Sequence, residues 1–170
     1  MLPLLVSWKK PSRRQKKRDT SYPLFNLFHL KELSLFMKLT YPYESKPSES
    51  FGAILTVSLW IDVDSPRGPL PFLFLFDTGA DVTSLPNSAA KKLGIDLDQC
   101  PQLPMGGYEG STISVYKSQI RIKFNHKLFT LPCVFHPNEE VPILLGRVGI
   151  LNRFNIIMDG KKKQIAFEEI

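Results

Sequence analysis

Cysteine is scarce in this chain: Cys100 and Cys133 are the only two in 170 residues. Two cysteines do not make a disulfide framework, although a single bridge stays open as an alternative. A reducing, cytoplasmic setting is therefore the default expectation. Histidine is nearly as rare. His29, His126 and His136 have no partner pattern and read as surface or loop residues. No cluster of Cys or His has metal-ligand spacing, so neither a metal nor an organic cofactor is expected. No Cys-His arrangement supports a thiol mechanism. Long apolar runs are missing too, and none reaches the roughly 18 residues of a transmembrane segment. The apolar opening, Met1 to Trp8, precedes its charges, whereas a secretory signal has the charges first. No long amphipathic helix and no internal repeat is visible.

What is present divides unevenly. Apolar residues make up 43% of the chain, enough for a real core. The formal net charge is +6, and residues 1–36 hold all of it. The block KKPSRRQKKR, Lys9 to Arg18, could touch nucleic acid or an anionic membrane surface. The plainer interpretation is a solvated, disordered tail, and nucleic acid is not the expected partner. Met37 opens the stretch MKLTYPYE, where the charge begins to balance, so residues 1–36 could be an extension ahead of an alternative start. Leu24 to Phe36 could form a helix. The expected organisation is a basic extension over 1–36 and one domain over 37–170.

From residue 51 the pattern is that of strands. Leu55, Val57, Leu59, Ile61 and Val63 alternate with polar neighbours, as in a half-buried strand. Trp60 belongs to the polar-looking side and would cover a barrel edge or an interface. Ser65-Pro66-Arg67-Gly68 is turn chemistry. Phe72 to Phe76 is continuously apolar, which predicts a strand covered on both faces. Pro86 to Leu93 reads as a short helix stopped by Gly94. Ile113 and Val115, then Ile120, Ile122 and Phe124, then Leu128 to Phe135 continue the strands. A short helix is expected over Val148 to Asn152. Asp159-Gly160 then joins Asn155–Met158 to Gln164–Phe167 as a hairpin, with Lys161 to Lys163 at its tip. The predicted fold class is all-β with one or two short helices, forming a small closed barrel.

One triplet carries chemistry. Asp77-Thr78-Gly79 follows the apolar strand, so the backbone is held and the turn exposes a carboxyl. On its own the triplet could be a β-turn or helix cap, and it arises by chance in roughly a few per cent of chains this long. Its context is stronger. A glycine-rich stretch, Met105-Gly106-Gly107-Tyr108-Glu109-Gly110, lies between two strand-like segments, and Ile143-Leu144-Leu145-Gly146-Arg147 follows later. Peptide hydrolysis without a metal needs an activated water and an acid for the leaving amine, and two adjacent carboxyls provide both. One Asp-Thr-Gly per chain therefore implies a symmetric dimer with half a site on each copy.

The stretches FLFLFDTGADVTSLP, PMGGYEG and ILLGR together resemble the retropepsin-like aspartic proteases, the single-lobe family of retroviral proteases and their cellular and prokaryotic relatives. The resemblance implies that Asp77 is the catalytic aspartate and that the chain is an aspartic endopeptidase. It implies that Thr78 interlocks the two active-site loops, with Gly79 allowing close approach. Gly79, Ala80 and Asp81 would line the substrate cleft. Met105, Gly106, Gly107, Tyr108, Glu109 and Gly110 would be a flap closing over an extended peptide. Leu144, Leu145 and Gly146 would pack behind the catalytic loop, and Arg147 would pair with Asp81. The implied partners are a second copy and a peptide or protein substrate. A catalytically silent dimeric peptide-binding module or scaffold is the alternative. The final hairpin departs from the viral pattern and is expected to help build the dimer interface.

Overall fold

The computed structural model describes residues 38–106, 110, 112–124 and 127–170. The basic extension and the expected helix over Leu24 to Phe36 lie outside them, as do His29, His126, Gly107, Tyr108 and Glu109. The strands are β1 (Lys38–Pro42), β2 (Glu44–Ser48), β3 (Gly52–Thr56), β4 (Ser58–Val63), β5 (Leu70–Phe76), β6 (Thr83–Pro86), β7 (Gln102–Gly106), β8 (Thr112–Phe124), β9 (Lys127–His136), β10 (Leu144–Leu145), β11 (Phe154–Asp159) and β12 (Gln164–Glu169). One helix, α1 (Asn87–Leu93), follows β6 and ends at Gly94. Among the described residues no helix is long and apolar enough to cross a membrane.

The main sheet runs β4-β5-β10-β6-β9-β8-β7, and a further β4–β8 pairing closes it into a ring. Val63 meets Ile122 at that closure. The predicted mostly β, closed architecture is what forms. Alternating side chains fill the interior, with Leu59, Ile61, Val63, Phe74, Ile122, Leu131, Phe135 and Leu145 all at 2% exposure or less. The terminal strands form a separate sheet, β1-β12-β11. Aromatic edges join this sheet to the ring. Phe167 lies 5.4 Å from Phe76 and 5.2 Å from Phe124, both edge-on. Such contacts contribute beyond the apolar area they bury. The residue before Asp77 is thus anchored from below by the chain's last strand.

Four expectations change in detail. The alternation from Leu55 to Val63 predicts one strand, but the chain divides at Val57. Only β4 enters the ring, while β3 pairs with β2 as a separate two-stranded sheet. The run Phe72 to Phe76 is not covered on both faces. Phe74 and Phe76 point inward, whereas Leu73 is 39% exposed and sits opposite Trp60, itself 66% exposed. Val148 to Asn152 is not a helix but a pair of tight turns, with Ile150 and Leu151 N–H both donating to Arg147 O. Gly149 has φ 86°, which interrupts any helical run. His136 is neither a surface nor a loop residue. It ends β9 and is 5% exposed.

The tail hairpin forms as expected. Asp159 Oδ1 accepts from the Lys161 and Lys162 N–H groups at 3.1 and 2.9 Å, which shapes the turn into β12.

Candidate active site

Asp77 leaves the end of β5 with its backbone tied on two sides. Its N–H donates to Leu145 O at 3.1 Å, and Leu75 N–H donates to Ile143 O at 2.8 Å, both across the parallel β5–β10 pairing. On the other flank Phe76 N–H donates to Val57 O at 2.9 Å. The turn then closes on itself, with Ala80 N–H reaching Asp77 O at 3.2 Å.

The carboxyl is oriented by its own loop. Gly79 N–H donates to Asp77 Oδ1 at 2.8 Å, the side-chain-to-backbone bond that Asp favours in turns. A Cβ on residue 79 would stand 3.1 Å from that oxygen, so glycine leaves room beside it. Asp77 is half-buried, and Thr78 and Gly79 are exposed. The carboxyl is therefore fixed yet open on one side.

The segment after β10 braces this loop from behind. Arg147 N–H donates to Ala80 O at 3.0 Å, and Val148 N–H to Asp81 O at 2.9 Å. The Arg147 guanidinium pairs with the Asp81 carboxylate. Gly146 sits where a side chain would collide, since a Cβ would lie 2.4 Å from the Val82 carbonyl carbon. Gly146 N–H also donates to the buried Thr83 hydroxyl at 3.3 Å. Thr83 is a residue that sequence pattern overlooks. Its only signal is a hydroxyl at a position that must be buried, six residues after the aspartate.

Of the glycine-rich stretch, Met105 and Gly106 end β7, which pairs antiparallel with β8. Met105 faces Ile113 and Gly106 faces Thr112 across β7 and β8. Gly110, with φ 73°, belongs to the turn. Beneath this hairpin a cavity of about 270 Å³ is lined by Ser84, Met105, Gly106, Ile113, His136 and Val141 among others. Among the described residues the buried His136 Nε2 has no hydrogen-bond partner. Burial holds the imidazole below its ordinary pKa, partly opposed by the nearby Glu139 carboxylate. Cys133 is buried in β9, and burial pushes its thiol up to about 12, far from a nucleophile's range.

The structure thus brings together Asp77, Thr78, Gly79, Ala80 and Asp81 with Leu144, Leu145, Gly146 and Arg147. Met105 and Gly106 stand apart on the hairpin. A six-stranded ring, a half-buried carboxyl on a glycine turn and the β7–β8 hairpin define an acid-protease type of fold. The sequence profile of the aspartyl protease family matches residues 62–147, and the chain belongs to that family. Among solved structures it is similar to a retropepsin-like aspartic protease from Rickettsia conorii, with a TM-score of 0.56 and 15% identity, covering 79% of this chain and 92% of that one. At that identity the likeness is one of fold. EIAV protease complexed with the inhibitor HBY-793 is more distant, with a TM-score of 0.43 and 18% identity over 54% of this chain and 82% of that one, too slight to build on. No curated protein matches the chain in sequence.

Proposed function

We propose that this chain is an aspartic endopeptidase that works as a two-fold homodimer, each copy contributing one Asp77. The single observation that carries this is the carboxyl itself. It is held at its backbone by β10, aimed by Gly79 N–H at 2.8 Å, and left open on one side. Such a group is prepared for a partner that one chain does not contain.

The chemistry follows from the pairing. Two carboxyls a few Å apart do not both ionise, so the pair holds one shared proton. The ionised member takes a proton from water while the neutral member donates a hydrogen bond to the scissile carbonyl. Water adds to the carbonyl carbon, the C–N bond then breaks, and the leaving amine takes a proton from the pair. No covalent enzyme intermediate, metal or organic cofactor enters this scheme.

Thr78 would bond across the axis and keep the carboxyls coplanar, since positioning supplies rate. Gly79, Ala80 and Asp81 would line the cleft beneath a flap formed by Met105, Gly106, Gly107, Tyr108, Glu109 and Gly110. Leu144, Leu145, Gly146 and Arg147 would keep the catalytic turn rigid. An extended peptide would bind by backbone hydrogen bonds, with apolar side chains in pockets. A negative Glu109 over the cleft would disfavour acidic side chains near the cleaved bond. Peptide-library profiling of Glu109→Gln checks this, and an unchanged preference dismisses it. We also place the protein in a reducing, cytoplasmic setting, since Cys100 and Cys133 are both free.

The decisive experiment compares wild type with Asp77→Asn on unfolded casein, with and without pepstatin. Wild-type cleavage that pepstatin blocks and the substitution abolishes supports the enzyme. Peptide binding by both proteins with cleavage by neither would make this a binding module. Light scattering on wild type must show a dimer at micromolar concentration.

A further inference from the structure

A homodimer needs something to hold its second copy, and one element of the chain has no other evident use. Among the described residues β2 and β3 pair only with each other, from Glu44↔Thr56 to Ser48↔Gly52, outside the closed ring. An isolated two-stranded hairpin is marginal in water unless something packs on it. Yet its turn and β3 present exposed apolar side chains, while β2 is polar. Phe51 at its turn is 80% exposed, and Ile54 and Leu55 are 43% and 48% exposed. Adjacent strand residues point to opposite faces, so the exposed parts of Ile54 and Leu55 lie on both faces of the arm.

The arm is also rooted at a telling place. Val57 is the one residue between β3 and β4, and its carbonyl accepts the N–H of Phe76, the residue before Asp77. Ser58 then faces Leu75, so β3 leaves the ring at the end where the catalytic turn emerges. Strands of this length reach roughly 17 Å, enough to cross onto a neighbour. The β2 edge carries Pro47 among polar residues. A proline lacks the ladder donor, so that edge is poorly suited to recruiting another strand through its backbone. The apolar contact falls to the turn and to β3.

We infer that the arm Glu44–Thr56 is the clamp of the homodimer, packing Phe51, Ile54 and Leu55 against a second copy of this chain beside the axis that joins the two Asp77 residues. The inference rests on the homodimer reading above. A second copy is the occupant because the half-site next to the arm's root is incomplete without one. Two-fold symmetry doubles each contact, so both arms grip at once.

The test uses the full chain carrying Phe51→Ser, Ile54→Thr and Leu55→Thr, alongside wild type and Phe51→Ser alone. These side chains are exposed, so the fold should survive, and the single tip substitution guards against loss of the arm itself. Sedimentation equilibrium gives the dimer dissociation constant, and casein cleavage is followed against protein concentration. The triple variant is expected to raise the dissociation constant roughly a hundredfold or more, and Phe51→Ser roughly tenfold. Activity per chain should collapse on dilution and return at high concentration. Variants that dimerise as tightly as an active, dimeric wild type would overturn the clamp and leave the homodimer standing. A wild type that stays monomeric at every concentration would remove both.

Discussion

The Asp77 turn and the arm both start beside Val57, and they are secured by opposite means. The turn Asp77–Asp81 is small and polar, and it is stitched to β10 and to Arg147–Val148 by backbone hydrogen bonds of 3.1 Å or less. The arm is larger and carries exposed apolar side chains, but among the described residues its strands pair only with each other. The backbone that carries each carboxyl has to be fixed within its own chain, because a carboxyl misplaced by an ångström loses its chemistry. Adhesion can wait for a partner, because apolar burial is non-directional and forms wherever two surfaces meet. Substitutions in the turn should therefore damage rate or fold, and substitutions in the arm should damage association.

The sharpest separation is Asp77→Asn. It should reduce casein cleavage by roughly a thousandfold or more while leaving dimerisation and melting temperature close to wild type. A variant that lost dimerisation as well would blur the two regions. Gly146→Ala comes next. The added methyl meets the Val82–Thr83 peptide, 2.4 Å from the carbonyl carbon and 2.8 Å from the Thr83 nitrogen, and should cost about 1–3 kcal/mol in urea unfolding. Full stability in that variant would mean that the brace yields easily.

Acidification gives a third handle. Burial lowers the His136 pKa, so the folded state binds this proton less readily than the unfolded chain. Above the ordinary imidazole range both states are neutral and the residue is silent. As pH falls below about 6.5 the unfolded chain gains the proton first, and stability declines until the folded-state value is passed. His136→Leu should flatten the urea-midpoint profile in that window, and an unaltered slope would remove His136 as its source. Ala80 bears on the same axis. It offers no hydroxyl to favour the charged pair, so the rate optimum should be only mildly acidic, and a pH–rate maximum below about pH 3 would contradict this. The smallest effect is expected from Arg147→Ala. Its pair with Asp81 is largely exposed, and such pairs contribute about 0–1 kcal/mol. A larger loss in thermal unfolding would show that the guanidinium, and not only the backbone of residue 147, secures the turn.

The site was more legible than its surroundings. The run Phe72 to Phe76 followed by Asp77-Thr78-Gly79 predicts a strand delivering a carboxyl to a turn, and the structure has both. α1 stops at Gly94 as expected, and the hairpin around Asp159-Gly160 forms. Less legible were the places where distant segments compete. Alternation alone runs from Leu55 to Val63 without a break, because periodicity does not record which partner each half finds. His136 looked peripheral because a single histidine carries no pattern, and only the packing around β9 encloses it. The strand β1 gave no signal at all, being paired only because β12 presents an open edge to it.

Residue order alone settled what neighbours along the chain can decide: a strand end, a glycine turn, a helix stop and an aspartate aimed by its own loop. These depend on sterics and on hydrogen bonds spanning a few residues. Tertiary structure decided the rest. It inserted β10 between β5 and β6, backed Asp77 with Leu145, required glycine at 146 against Val82, and left the arm uncovered. Each of those outcomes joins segments tens of residues apart, and their free energy exists only once the ring has closed.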